Sequence, residues 1–285
     1  MTAIDLPYFD VLLAELRRGS SELTTAFGRH VHWGYWDAHH LPDGTVRGFA
    51  DATERMCRRV CDAAGVRDGQ RILDVGCGLG GTVASLDERL SRAELTGLNI
   101  DRRQLDYARE HVRSRDGNGI EFVHGDACEM PFDDASFDVV LAVECAFHFS
   151  SRARFLGEAA RVLKPGGRLG LCDFVPARGA VPFLWLQPLL FDGYVRRWVG
   201  PTDISCTRER YLRLAADAGF ALDRNEDLTA NMLPTYPVLR RLVEDTGTHV
   251  ATAKWATRGL EWLGRLGALR YALLSFVRTD GAQAS

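Results

Sequence analysis

Arg71-Ile72-Leu73-Asp74-Val75-Gly76-Cys77-Gly78-Leu79-Gly80-Gly81 constrains this chain more than any other stretch. An apolar run with β-branched residues ends in a glycine cluster, and a helical pattern over residues 82–90 follows. Glycines at 76, 78 and 80 let the backbone turn tightly and let a ligand approach main-chain N–H groups with no Cβ in the way. A strand, a glycine loop and a helix in this order bind a nucleotide-like cofactor at the carboxyl end of the strand. Gly76, Gly78 and Gly81 also satisfy G-x-G-x-x-G, a pattern shared with dinucleotide-binding dehydrogenases, so the loop alone leaves a nicotinamide-dependent oxidoreductase open.

The rest of the first half keeps step. Residues 94–101 read as a second strand ending in polar residues, 121–127 as a third ending in an acid, and 136–144 as a fourth. Residues 161–169 read as a helix end, a Gly-Gly turn and the start of a fifth strand, with helical patterns over 103–113 and 153–163. Strands alternating with helices predict an α/β fold, a parallel sheet covered on both faces.

Together these residues resemble the class I S-adenosylmethionine-dependent methyltransferase family, over roughly residues 70–173. Asp74-Val75-Gly76-Cys77-Gly78-Leu79-Gly80 is similar to the family's first motif. Gly125-Asp126-Ala127 with Pro131-Phe132, and Leu163-Lys164-Pro165-Gly166-Gly167, are similar to later landmarks that a dehydrogenase gives no reason to carry. The resemblance implies a Rossmann-like, seven-stranded, mostly parallel sheet with helices on both faces, its last strand (271–278) antiparallel. It implies S-adenosyl-L-methionine as cofactor and S-adenosyl-L-homocysteine as product. The expected division is an N-terminal helical cap with an aromatic lid loop (1–68), a cofactor-binding core (69–175), a substrate lid insertion (176–206) and a C-terminal part completing the sheet (207–285).

Composition narrows the partners. Net charge is −3 with both signs interspersed, which lacks the basic footprint of a nucleic-acid binder. No apolar run is long enough to span a bilayer, and the first residues lack the basic start and apolar core of a signal peptide. Seven cysteines without a repeated framework suggest free thiols in a reducing compartment, so a cytoplasmic enzyme is expected. Cys57 and Cys61, one helical turn apart, are read as core, and the His39-His40 pair as a solvated turn, so no metal site is expected.

Outside the core, 9–16 and 50–64 read as amphipathic helices, and His30-Val31-His32-Trp33-Gly34-Tyr35-Trp36-Asp37 lies between them. This aromatic loop is read either as a packing plug or as a lid whose rings face a sulfonium cation. Residues 181–200 add Trp185 and Tyr194 to an apolar, aromatic stretch with two prolines, which suits a hydrophobic substrate or a dimer face. Thr207 is placed as a helix N-cap and Gly219 as the glycine that ends that helix.

By resemblance, Asp74, Gly76, Cys77, Gly78 and Gly80 bind the cofactor's amino-acid end, and Asp126 and Ala127 its adenine. At the end of the second strand the family places an acid for the ribose hydroxyls. This sequence has Asn99, followed by Ile100, with Gln104 five residues on. Asn99 keeps a donor and an acceptor but loses the charge-assisted contact. Glu144 ends a buried strand, where it touches cofactor, and His148 follows beside the acceptor; with Tyr35 they are the expected catalytic residues. Trp33, Tyr35, Trp36, Phe147, His148, Trp185 and Tyr194 are the expected substrate contacts. The reading is methyl transfer to a small hydrophobic or aromatic metabolite in secondary metabolism. It favours an electron-rich carbon of indole or prenyl type. O- or N-methylation, or a non-catalytic S-adenosylmethionine-binding partner subunit, are the alternatives.

Overall fold

The computed structural model describes residues 6–19, 21–115, 117–184, 200–245 and 250–279. Trp185 and Tyr194, expected at the substrate, lie outside the described residues. Three helices come first: α1 (Pro7–Arg17), α2 (Ser21–Phe27) and α3 (Val46–Ala64). Pro7 opens α1 at a position where its missing N–H costs nothing. α3 begins four residues ahead of the apolar periodicity. The Thr45 hydroxyl accepts from the Gly48 N–H at 2.9 Å, and Asp43 accepts from the Thr45 N–H at 2.8 Å.

Strand and helix then alternate: β1 (Arg71–Val75), α4 (Gly81–Arg89), β2 (Glu94–Asn99), α5 (Arg102–His111), β3 (Gly119–His124), β4 (Phe137–Val143), a 3-10 turn at Ala146–His148, α6 (Arg152–Val162) and β5 (Leu163–Pro176). After α7 (Val181–Leu184) come α8 (Arg208–Asp217), β6 (Phe220–Asp227), α9 (Thr229–Met232), α10 (Thr235–Asp245), α11 (Val250–Arg265) and β7 (Leu269–Arg278). Among the described residues seven strands form one sheet in the order β3-β2-β1-β4-β5-β7-β6, and β7 runs antiparallel to both its neighbours. Chain direction across the sheet reverses between β1 and β4. That reversal opens a crevice at their carboxyl ends, above Val75 and Val143.

Alternation along each strand builds a core on either face. Ile72, Val139, Leu141 and Val143 point to one cluster with α3 and α4 residues such as Met56, Val60 and Leu86, and Cys57 and Cys61 pack there as expected. Leu73, Val75, Val140 and Ala142 point to the other, against Phe155 and Leu156 of α6 and Tyr211 of α8. The Gly-Gly turn expected before the fifth strand is a bulge inside it. Phe137 pairs with Leu163 but Val139 with Arg168, so extra residues loop out while the strand continues. The Thr207 cap forms, accepting from the Arg210 N–H at 3.2 Å. Among the described residues no helix is long and apolar enough to cross a membrane.

Candidate active site

The crevice is floored by the loop after β1. The Gly76 and Cys77 N–H groups both donate to the Leu98 carbonyl, at 2.8 and 3.1 Å, which pins the loop to the end of β2. Gly76 has φ +72°, and a Cβ there would fall 2.7 Å from Cys145 Cβ; Gly78 has φ +54°, and a Cβ there would touch Gln104 Oε1 at 3.9 Å. Asp74 is 2% exposed, and its Oδ2 has no hydrogen-bond partner. Burial pushes its carboxyl up to about 8, with a hydrogen bond from Thr82 pulling the other way.

Asn99, Ile100, Gln104, Asp126 and Ala127 form one wall. Asn99 donates from Nδ2 to Gln104 Oε1 at 3.0 Å and accepts the Asp101 N–H at 3.1 Å. The two amides therefore hold one another in place, and each spends part of its capacity doing so. Asp126 Oδ1 accepts the Cys128 N–H at 2.8 Å, fixing the carboxylate at the strand end.

Glu144 and His148 occupy the opposite wall. Glu144 follows β4 with φ +51°, a left-handed conformation uncommon for a residue with a side chain. Its Oε2 accepts from the Trp33 N–H at 3.0 Å and from the Tyr271 hydroxyl. Burial raises its carboxyl to about 8 in spite of both donors. His148 Nδ1 lies 3.0 Å from the Pro201 carbonyl, which can only accept, so Nδ1 carries the proton and Nε2 the lone pair. Nε2 meets the Tyr8 hydroxyl at 3.4 Å, and burial lowers the imidazole to about 4. The Pro201 segment is itself anchored. Asp203 N–H donates to the Phe147 carbonyl at 2.7 Å, and Arg152 bridges Asp203 at 2.9 Å to buried Asp173 at 3.0 Å.

The crevice thus gathers Asp74, Gly76, Cys77, Gly78, Asn99, Ile100, Gln104, Asp126, Ala127, Glu144 and His148. Gly80 serves instead as the left-handed residue that starts α4. Trp33, Tyr35 and Trp36 of the aromatic loop do not line the crevice. Trp33 offers its backbone, while its indole packs edge-on to Phe174 and Tyr236. The Tyr35 ring lies under Arg59, and Trp36 is buried with Nε1 donating to Thr235 Oγ1 at 3.0 Å. Phe147 packs behind His148, against Phe174. Leu6, Tyr8 and Phe9 of the N-terminal segment line the crevice without having been expected there, and from the aromatic loop His30, held to Glu54 at 2.8 Å, and Val31 line it too. Among the described residues no group of three or more His, Cys, Asp or Glu side chains is placed to hold a metal ion.

Comparison with known proteins adds a family. The description "Methyltransferase domain" matches residues 73–171. An O-methyltransferase of Pyrenophora dematioidea is 36% identical over 247 residues, spanning 86% of this chain and 88% of that one. The chain belongs to the class I S-adenosylmethionine-dependent methyltransferases. Methyltransferase GfsG of Streptomyces halstedii is 39% identical over 155 residues, a match that spans 54% of this chain and about half the length (54%) of that relative. The [4+2]-cyclase SpnF shares the fold, with TM-score 0.70, 21% identity, and 99% and 100% of the two chains covered.

S-Adenosylmethionine is the cofactor of this methyltransferase family, and the crevice fits it chemically. The orphaned Asp74 Oδ2 is a buried acceptor for the ligand's cationic amino group. The glycine loop presents backbone without side chains. Asn99 ends β2 and Asp126 follows β3; with Gln104 of α5 and the Ala127 backbone they line the crevice with donors and acceptors of the kind a ribose and an adenine require.

Proposed function

We propose that this methyltransferase transfers a methyl group to a hydroxyl oxygen of a small, largely apolar metabolite of natural-product type. One observation carries the reading: His148 is locked by Pro201 with its Nε2 lone pair in the crevice, already facing a hydroxyl, that of Tyr8. S-Adenosylmethionine, when bound, supplies an electrophilic methyl group. The chain's own work is to align the acceptor, exclude water and take up a proton. An acceptor oxygen that gains a bond to carbon sheds its proton, and His148 Nε2 receives it. An imidazole lowered to about 4 stays neutral, and so able to accept, across the physiological range. Glu144, raised to about 8, is mostly a neutral acid at pH 7 and holds the Trp33 backbone and Tyr271 in place. Leu6, Phe9, Val31, Leu79 and Phe149 line the crevice and suit an apolar acceptor. A relative matched over 86% of this chain and 88% of its own length is named for O-methylation.

Methylation of an electron-rich carbon, indole or prenyl, is the second reading. The buried carboxyl of Glu144, with Trp33 and Tyr271 on it, favours it as a site for a cation. Against it, a neutral acid gives a cation little field. The test is S-adenosylhomocysteine release on a panel of hydroxylated, indole and prenyl compounds, with the new methyl located by NMR. O-methyl product is expected, and His148→Ala should lower kcat by about 10²–10⁴ while S-adenosylhomocysteine binding survives. C-methyl product alone would overturn the oxygen reading, and full turnover in His148→Ala would remove the base.

A further inference from the structure

The outward side of α11 carries Trp255 and Trp262, 70% and 63% exposed, and Leu266, just past its end, is 73% exposed. At roughly 100° per residue, the three fall within about 40° of one another, in a stripe about 16 Å long. The other side of the helix holds it to the protein. Leu260 and Leu263 pack on the core, and buried Glu261 is gripped by Arg240 and Arg265 at 2.6 and 2.7 Å. The stripe therefore points straight away from the sheet. Single apolar side chains on a surface are ordinary, but an aligned pair of tryptophans with a leucine marks a contact face.

Its charge identifies the occupant. Arg258 and Arg265 lie about 60–80° round from the tryptophan row, both on one flank, with Lys254 next to them. The Arg258 guanidinium sits 5.8 Å from the centre of the Trp255 ring. α11 itself holds three cations (Lys254, Arg258, Arg265) and one acid (Glu261), which Arg265 shares with Arg240 of α10, while the whole chain is −3. Arg270, on β7, is paired with Asp227 at 2.7 Å and adds nothing, so the positive excess beside the tryptophans lies on α11 and on Arg240, against the balance of the molecule. Two copies pairing antiparallel through this stripe would set one cation row beside the other. An anionic bilayer accepts both parts: indole rings settle at the headgroup level and guanidinium groups meet phosphates.

We propose that the α11 face docks the protein onto anionic phospholipid membranes, lying on the surface without spanning it. The reading of the crevice does not enter this argument, and the test does not use turnover. Full-length protein is floated with vesicles of phosphatidylcholine alone or with one third phosphatidylglycerol. Wild type should float with the anionic vesicles, and less at high salt. The double variant Trp255→Ser, Trp262→Ser should lose at least about tenfold in affinity and Arg258→Gln on the order of fivefold, with S-adenosylhomocysteine binding unchanged. Brominated lipid should quench wild-type tryptophan fluorescence, a readout that needs no variant. Wild type that neither floats nor is quenched overturns the proposal, as does a double variant that floats equally well. A wild-type dimer that the double variant converts to monomer assigns the stripe to a second copy and overturns it too.

Discussion

Cofactor affinity should depend on pH through Asp74. Burial raises this carboxyl to about 8 in the unliganded protein, against the pull of the Thr82 hydrogen bond. Only its ionised form pairs with a cationic amino group, so the apparent association constant follows the ionised fraction. With a pKa of about 8, that fraction is about one half at pH 8 and about one hundredth at pH 6. The Kd of S-adenosylhomocysteine should therefore rise about fiftyfold from pH 8 to pH 6, about 2 kcal/mol. The sign is fixed: binding favours the ionised carboxylate, releases a proton and tightens as pH rises towards 8. Titration calorimetry in buffers of different ionisation enthalpy should find about 0.9 proton released at pH 7. Asp74→Asn should bind weakly and without this slope. Glu144 titrates in the same window, so Glu144→Gln is measured alongside to remove its share. A wild-type Kd that is flat between pH 6 and 8, or a slope undiminished in Asp74→Asn, would refute the reasoning.

Two further perturbations probe the frame. Gly76→Ala puts a Cβ 2.7 Å from Cys145 at φ +72°; urea unfolding should show a loss of about 1–3 kcal/mol, with S-adenosylhomocysteine binding reduced. Arg152→Met strands the fully buried Asp173 carboxylate, and unfolding at pH 8 should show a loss of about 3–5 kcal/mol. Burial already raises Asp173 to about 6 with its partner present. Without that partner the acid is stabilised when protonated, so the deficit should shrink at pH 5 and grow as pH rises.

The parts of the site that could be read in the sequence are local. Asp74, Asn99 and Asp126 end consecutive strands, and strand ends are what hydrophobic runs and glycines mark. Glu144 and His148 follow β4 within a few residues, so placing the strand placed them. What could not be read crosses long distances. Tyr8 meets His148 from 140 residues away, and Tyr271 reaches Glu144 across 127. No local pattern encodes such pairings. The aromatic loop carries a different lesson: its composition announces rings, but the direction of each depends on partners such as Thr235 and Arg59, far along the chain or on another element. Trp33 reaches the site through its backbone, which every residue has. α3 began early because Thr45 and Asp43 cap it, a signal present in the sequence but outside the apolar repeat.

The partner of His148 also governs how the site resets. A carboxylate beside an imidazole would hold the captured proton by attraction; the Pro201 carbonyl fixes the tautomer yet has no charge with which to retain it. With the imidazolium lowered to about 4, a proton received at Nε2 is favoured to leave for water by about 10³ at pH 7. The base is thus self-clearing: each cycle begins with the lone pair restored, and no second base is needed to empty it.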